Sequence, residues 1–241
     1  MHYTRNFLNN VVFQASFNID SLKQALDKTI MELCSKLTGA EMVERRLMNV
    51  TVSMVESQVS TAEKIPSYVF IGDRFRIHIQ NDTLKIIDTK YSHHNDFHPI
   101  AIEVLTAFNI QYKKPKITRI SLRYLNIIKF PEGDTYDFDG LINPTLLAAT
   151  LDYKDLGLSR SVGTLNIKGE DDLNVKFIYG YTNPEYPNKI VKREFILDYD
   201  CYKIVNDSIL DIQPFLMEMK DKINTLFDKS ILQGLKDIMN T

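Results

Sequence analysis

Apolar and polar side chains follow two different periods along the chain, and these periods predict both strands and helices. Alternation at every second residue, which is typical of a strand, is clearest in residues 116–130, KITRISLRYLNIIKF. One side of this strand carries Tyr124 and Asn126 among aliphatic residues, whereas the other side carries Arg119 and Arg123. We therefore expect this strand at the centre of the fold, with the tyrosine side facing the core.

The first half of the chain adds further strands and two helices. Strands are predicted at residues 10–18, 47–56, 68–80 and 83–91. The last two form a hairpin across residues 81–82. A helix is predicted over residues 22–37, where Ser21 and Gln24 give a capping-box pattern and Gly39 ends the helix. Residues 57–67 are polar and predict a loop.

The second half predicts a strand meander followed by a long amphipathic helix. Strands are expected at residues 146–153, 160–168, 174–181 and 189–202, and a helix at 208–240 with a break near 230–234. Residues 131–143 predict a dividing loop. Its aspartates lack the spacing of a calcium loop.

These elements predict the α+β class, with two antiparallel-sheet halves that are each backed by helices. We expect residues 1–130 and residues 140–241 to form the two halves, packed as one body. A diverged duplication is one interpretation of such an arrangement, although no repeat in the sequence demonstrates it.

Asp198 and Asp200 lie two residues apart, and therefore share one face of a predicted strand. Paired carboxylates can hold a metal ion or transfer protons, and they can also neutralise Arg119 and Arg123. We favour neutralisation, because no other acid or histidine lies at a supporting spacing. The alternative is a pocket in which the arginines bind an anionic ligand.

The histidine-rich segment 92–98, SHHNDFH, is the other candidate for metal chemistry. His93 and His98 are weak candidate ligands, since their spacing matches no established zinc pattern. Asp96 is better explained as a helix cap, with Pro99 in the first turn of the helix that follows. We therefore predict no metal and no cofactor.

Two motifs and the end of the chain resemble one protein family. R-x-x-L-R-Y-x-N stands at Arg119–Asn126, L-D-x-D at Leu197–Asp200, and KINTLFDKSI at Lys222–Ile231, with Ser230 where threonine is commoner. Together they resemble a bacterial family of sporadically distributed, uncharacterised proteins, from about residue 70 onward. The resemblance implies no reaction. A patchy distribution is associated with accessory roles in defence or toxin–antitoxin systems.

Composition narrows the function classes further. The chain has 241 residues, with 29 basic and 31 acidic residues and a net charge of −2, so an overall electrostatic attraction to nucleic acid is absent. Cys34 and Cys201 show no metal spacing and predict buried thiols in a reducing compartment. Without a signal core or a membrane-length apolar run, we expect a cytoplasmic protein.

The absence of nucleophile, phosphate-loop and dinucleotide motifs favours a non-catalytic binding or regulatory protein. It would act through a protein partner or as a homodimer. The alternative is an enzyme or a sensor of a nucleotide-like anion. That site would combine Arg119 and Arg123, with Tyr124 and Asn126 beside them, with Asp198 and Asp200 or with His93 and His98.

Overall fold

A computed structural model describes residues 6–18, 26–53, 58–80, 82–169, 172–207 and 211–241, with 44–53, 58–66 and 207 described by their backbone alone. The helices in these ranges are α1 (Lys28–Thr38), α2 (His94–Gln111), α3 (Pro144–Tyr153), α4 (Gln213–Ser230) and α5 (Gln233–Asn240). The strands are β1 (Leu8–Phe17), β2 (Met42–Ser53), β3 (Gln58–Ile71), β4 (Phe75–Gln80), β5 (Thr83–Asp88), β6 (Ile117–Lys129), β7 (Ser161–Lys168), β8 (Asn174–Tyr181) and β9 (Glu194–Asp207).

Within the described ranges the strands form a nine-stranded sheet in the order β2-β3-β4-β5-β1-β6-β9-β8-β7. The β2–β3–β4–β5 and β7–β8–β9 neighbours are paired antiparallel. Helices together with an antiparallel sheet define the α+β class, so the predicted class is confirmed. The edge strands in this order are β2 and β7.

Two compact units divide the chain. The first unit comprises residues 1–11, 122–203 and 215–241, and the second comprises residues 12–121 and 204–214. Their boundaries at 11/12 and 121/122 fall inside β1 and β6. The sequence-based ranges 1–130 and 140–241 stay a prediction about the organisation of the chain, as does a duplication.

The second unit contains α1, α2 and the β4–β5 hairpin. Asp27 caps α1 by accepting hydrogen bonds from the N–H groups of Thr29 and Ile30, and Gly39 ends it with a φ of 65°. The hairpin pairs Gln80 with Thr83, so the predicted turn is confirmed, whereas the predicted strand 68–80 is divided between β3 and β4. The buried side chains of the hairpin follow the period of two: Phe75, Ile77, Ile79, Leu84 and Ile86.

The first unit contains the β7–β8–β9 meander with α3, α4 and α5. The rings of Phe177 and Tyr199 stack on one face of the meander, with their centroids 4.5 Å apart. The Tyr199 hydroxyl donates to Ser230 Oγ at 2.7 Å, and Ser230 Oγ donates to the Leu226 carbonyl at 2.8 Å. Ser230, the residue singled out in the family-like ending, thus joins the end of α4 to the core face of β9.

The structure corrects three further local predictions. Residues 146–153 lie in helix α3, not in a strand, because Asn143 caps it by accepting from the Thr145 N–H and Pro144 stands in its first turn. Residues 58–67 belong to strand β3, not to a loop. His93, not Asp96, caps α2. The capping box at residues 21–24 lies outside the described residues, whereas the break between α4 and α5 is confirmed.

Candidate functional site

Arg123 and Asp198 form a two-pronged ion pair across neighbouring strands β6 and β9. Arg123 Nε donates to Asp198 Oδ1 at 2.7 Å, and Arg123 Nη2 donates to Oδ2 at 2.6 Å. The Asp198 side chain is 5% exposed and that of Arg123 is 44% exposed. The hydrogen bond to Asp198 raises the pKa of Arg123, burial opposes this effect, and the charges of Asp198 and Asp200 add to it. The structure therefore brings together the pair that the sequence suggested.

The remaining residues of the proposed pocket have different surroundings. Tyr124 and Asn126 are buried, as expected for the core side of β6, and Asn126 Nδ2 donates to the Leu197 carbonyl at 3.2 Å. Asp200 is half-buried and stands opposite Lys176 of β8. Arg119 belongs to the second unit, where its Nη1 donates to Ser121 Oγ at 3.0 Å.

An anionic ligand at Arg123 would compete with a carboxylate that already engages two of the guanidinium nitrogens. That geometry is what charge neutralisation requires, and it is the interpretation that the sequence favoured. Ligand binding by this residue set stays a prediction.

The histidine segment begins a helix. His93 Nδ1 accepts a hydrogen bond from the Asn95 N–H at 3.1 Å, and His98 lies buried in α2 with its ring centroid 5.5 Å from that of His94. Ser92 Oγ donates to Asp96 Oδ2 at 2.6 Å. Among the described residues, no group of three or more histidine, cysteine or acidic side chains is arranged to hold a metal ion.

A second buried ion pair was not predicted from the sequence. Asp88 is fully buried at the end of β5 and accepts hydrogen bonds from Arg74 Nε at 3.2 Å and Arg74 Nη2 at 3.0 Å. The hydrogen bond to Asp88 raises the pKa of Arg74. The signal was available, because the hairpin register pairs Phe75 with Asp88 and so places Arg74 near that carboxylate. In the strand order β4 and β6 are not neighbours, since β5 and β1 lie between them.

A groove of about 580 Å³ opens in the first unit where β1 and β9 begin and β6 ends. One of its walls is Arg193, whose Nε donates to the Asp137 carbonyl at 2.8 Å and whose Nη1 donates to the Glu132 carbonyl at 3.2 Å. The same guanidinium lies 4.8 Å from the centroid of the Phe130 ring. Arg193 thereby anchors the loop after β6, so its role in the groove is structural.

The β7 edge is the open side of strand β7, and most of its length is uncharged. Its sequence, SVGTLNIK, contains no proline and places its one charged residue, Lys168, at the end. Val162 is 37% exposed and Leu165 is 45% exposed. The other edge strand, β2, carries Glu44, Arg45 and Arg46 in succession. Charged residues and prolines are what proteins place on edge strands to prevent further pairing.

The ladder with β8 identifies the backbone groups that the β7 edge presents. The Gly169 N–H donates to the Leu173 carbonyl at 2.9 Å, immediately beyond the register that pairs Lys168 with Asn174. In an antiparallel ladder the N–H and C=O groups of successive residues alternate in direction. The odd-numbered residues of β7 therefore bond to β8, and Val162, Thr164, Asn166 and Lys168 direct their backbone groups to the open side.

Comparisons with known proteins add no family to these observations. No protein-family model matches the chain, and no curated protein was found that resembles it in sequence. None of the described helices combines the length and the apolar character that crossing a bilayer requires.

Proposed function

We propose that this protein is a non-catalytic binding protein that acts through β-strand addition at the β7 edge, with a protein partner or as a homodimer. The observation that carries the proposal is the run of seven uncharged residues that begins the edge strand, with two aliphatic side chains exposed. Strand addition supplies affinity through backbone hydrogen bonds, and exposed side chains supply selectivity.

The charge distribution of the site supports binding over catalysis. Arg123 and Arg74, which could have acted on an anionic substrate, are each engaged by a buried carboxylate. The β7 edge carries no group that titrates near neutral pH. Backbone pairing and aliphatic contacts at such an edge serve recognition.

The cellular setting belongs to the same proposal. The resemblance of the Arg119–Asn126 and Leu197–Asp200 motifs to a sporadically distributed bacterial family supports a cytoplasmic accessory role, for example in a defence or toxin–antitoxin system. Genes encoded beside this one would then include the partner.

Two exposed leucines of the first unit provide the test. Leu165→Lys places a charge on the β7 edge, whereas Leu156→Lys makes the same change at a residue that is 78% exposed and outside the sheet. Sedimentation velocity and co-purification from the native host would compare both variants with the native chain. We expect Leu165→Lys to abolish self-association or partner capture and Leu156→Lys to retain it. Equal behaviour of the two variants, or a native chain that stays monomeric and captures nothing, would overturn the proposal.

A further inference from the structure

We propose that the occupant of the β7 edge is a second copy of this chain, paired antiparallel about a two-fold axis beside Leu165. The inference rests on the proposed function and specifies the partner and the register. Two identical edges close on each other in this arrangement, so the assembly ends at a dimer.

The direction of the backbone groups selects the register. In a two-fold antiparallel pairing, residues that direct their N–H and C=O groups outward must face residues that do the same. Centring the pairing on Leu165 satisfies all the outward-directed residues of β7. Val162 then faces Lys168 of the second copy, and Thr164 faces Asn166. If the axis passes beside Thr164 or Asn166 instead, one or more of the outward-directed residues face a position outside β7 in the second copy.

The side chains support the same centre. Leu165 stands opposite Phe177, and Phe177 stands opposite Tyr199, so one apolar row crosses the meander and ends in the open at Leu165. The exposed fractions along the row are 0% for Tyr199, 4% for Phe177 and 45% for Leu165. With the axis beside Leu165, the two leucines form a non-hydrogen-bonded pair, the closer of the two types of cross-strand pair. The row continues into the second copy, and both leucines leave water.

Gly163 provides the complementary surface beside this pair. The Tyr179 ring fills the space above Gly163, with its Cζ atom 2.4 Å from where a Cβ would stand. Ile167 of the second copy faces Gly163 in this register and packs on the Tyr179 ring. Any side chain at 163 would displace that ring, so the glycine allows an aromatic surface to reach the strand edge.

The charges are compatible with self-pairing and disfavour pairing with the other sheet edge. Lys168 covers the exposed Val162 of the second copy with its aliphatic stem and keeps its ammonium group in water. The two Lys168 residues lie at opposite ends of the pairing, roughly 20 Å apart, beyond the screening length at physiological salt. An incoming β2 would instead bring Glu44, Arg45 and Arg46 against an uncharged strand.

Cysteine cross-linking tests the register directly. Leu165→Cys places the new thiol opposite itself across the axis, within the Cα separation that a disulfide accepts. Thr164→Cys is the matched control, because residue 164 faces 166 and its own counterpart lies roughly 8 Å away, too far for a disulfide. The double variant Thr164→Cys/Asn166→Cys restores opposed thiols. The native thiols of Cys34 and Cys201 are both 0% exposed and do not compete.

Each result has a defined meaning. Mild oxidation at about 100 μM protein, well above a micromolar dissociation constant, should give a covalent dimer of Leu165→Cys and of the double variant, and no dimer of Thr164→Cys. Circular dichroism confirms that each variant is folded. If Thr164→Cys cross-links as well as Leu165→Cys, or if neither Leu165→Cys nor the double variant does, the register is overturned. A chain that is monomeric at this concentration but binds another protein in a Leu165-dependent manner overturns the second copy as occupant and leaves the proposed function standing.

Discussion

The Arg123–Asp198 pair allows a quantitative test of how the two sequence motifs are connected. Replacing Arg123 with glutamine leaves a carboxylate that is 95% buried without its two charged hydrogen bonds. Losing one partner of a fully buried pair costs about 3–5 kcal/mol. Arg123 is 44% exposed, so solvent already screens the pair, and we expect a loss of about 2 kcal/mol in the free energy of unfolding.

The opposite substitution should cost less. In Asp198→Asn the guanidinium of Arg123 can turn its exposed side to water, so we expect a loss of about 1 kcal/mol. The double variant avoids the unpaired buried charge. It should therefore lose about 1 kcal/mol less than the sum of the two single variants.

Urea unfolding followed by far-UV circular dichroism measures these changes, since the chain contains no tryptophan. With a slope of about 3 kcal/mol per M, the Arg123→Gln midpoint should fall by about 0.7 M at an unchanged slope. Lys192 and Glu185, 2.8 Å apart with side chains 50% and 48% exposed, form the matched control pair. The same cycle there should show no measurable coupling. Equal coupling in the two cycles, or an Arg123→Gln midpoint that does not move, would refute this account of the buried carboxylate.

Two further predictions concern Gly180 and Cys34. Gly180 has a φ of 127°, and a Cβ there would stand 2.2 Å from the Ser161 carbonyl oxygen. Gly180→Ala should therefore detach the start of β7 and abolish association without unfolding the chain, which sedimentation velocity measures. Gly140→Ala is the control for a glycine at positive φ, because a Cβ at residue 140 meets nothing within 4 Å. Burial raises the pKa of the Cys34 thiol from 9.0 to about 12, so its contribution to stability is complete below pH 9.0 and is lost as the pH rises toward 12. Between pH 9 and 11 the native chain should lose stability more steeply than Cys34→Ala, by about 1 kcal/mol per pH unit, and equal slopes in urea unfolding would contradict it.

The sequence by itself determined features that depend on neighbours along the chain. The β4–β5 hairpin, the end of α1 at Gly39 and the break between α4 and α5 follow from local periodicity and from glycine's access to the left-handed region. The alternating pattern of residues 116–130 likewise predicted that Tyr124 and Asn126 lie on the buried side of β6, because side-chain direction alternates along a strand.

Local signals failed where two of them competed. Residues 146–153 contain an apolar run that is consistent with either a strand or a helix, and the Asn143 cap and Pro144 decided in favour of the helix. The sequence pattern did not indicate the Arg74–Asp88 pair, which forms because hairpin pairing brings Arg74 to the buried Asp88. The sequence suggested acids for Arg119 and Arg123 alike, and only strand pairing showed that Asp198 binds Arg123, 75 residues away in the chain.

Only the tertiary structure decided which strand stands at the edge. Residues 161–168 have the same uncharged, alternating character that a central strand could have, and nothing in the segment states how many neighbours it pairs with. An edge is a property of the strand order, which depends on contacts far apart in the sequence. The candidate binding surface follows from that order, because a backbone hydrogen-bonding group is available to a partner only when no neighbouring strand has taken it.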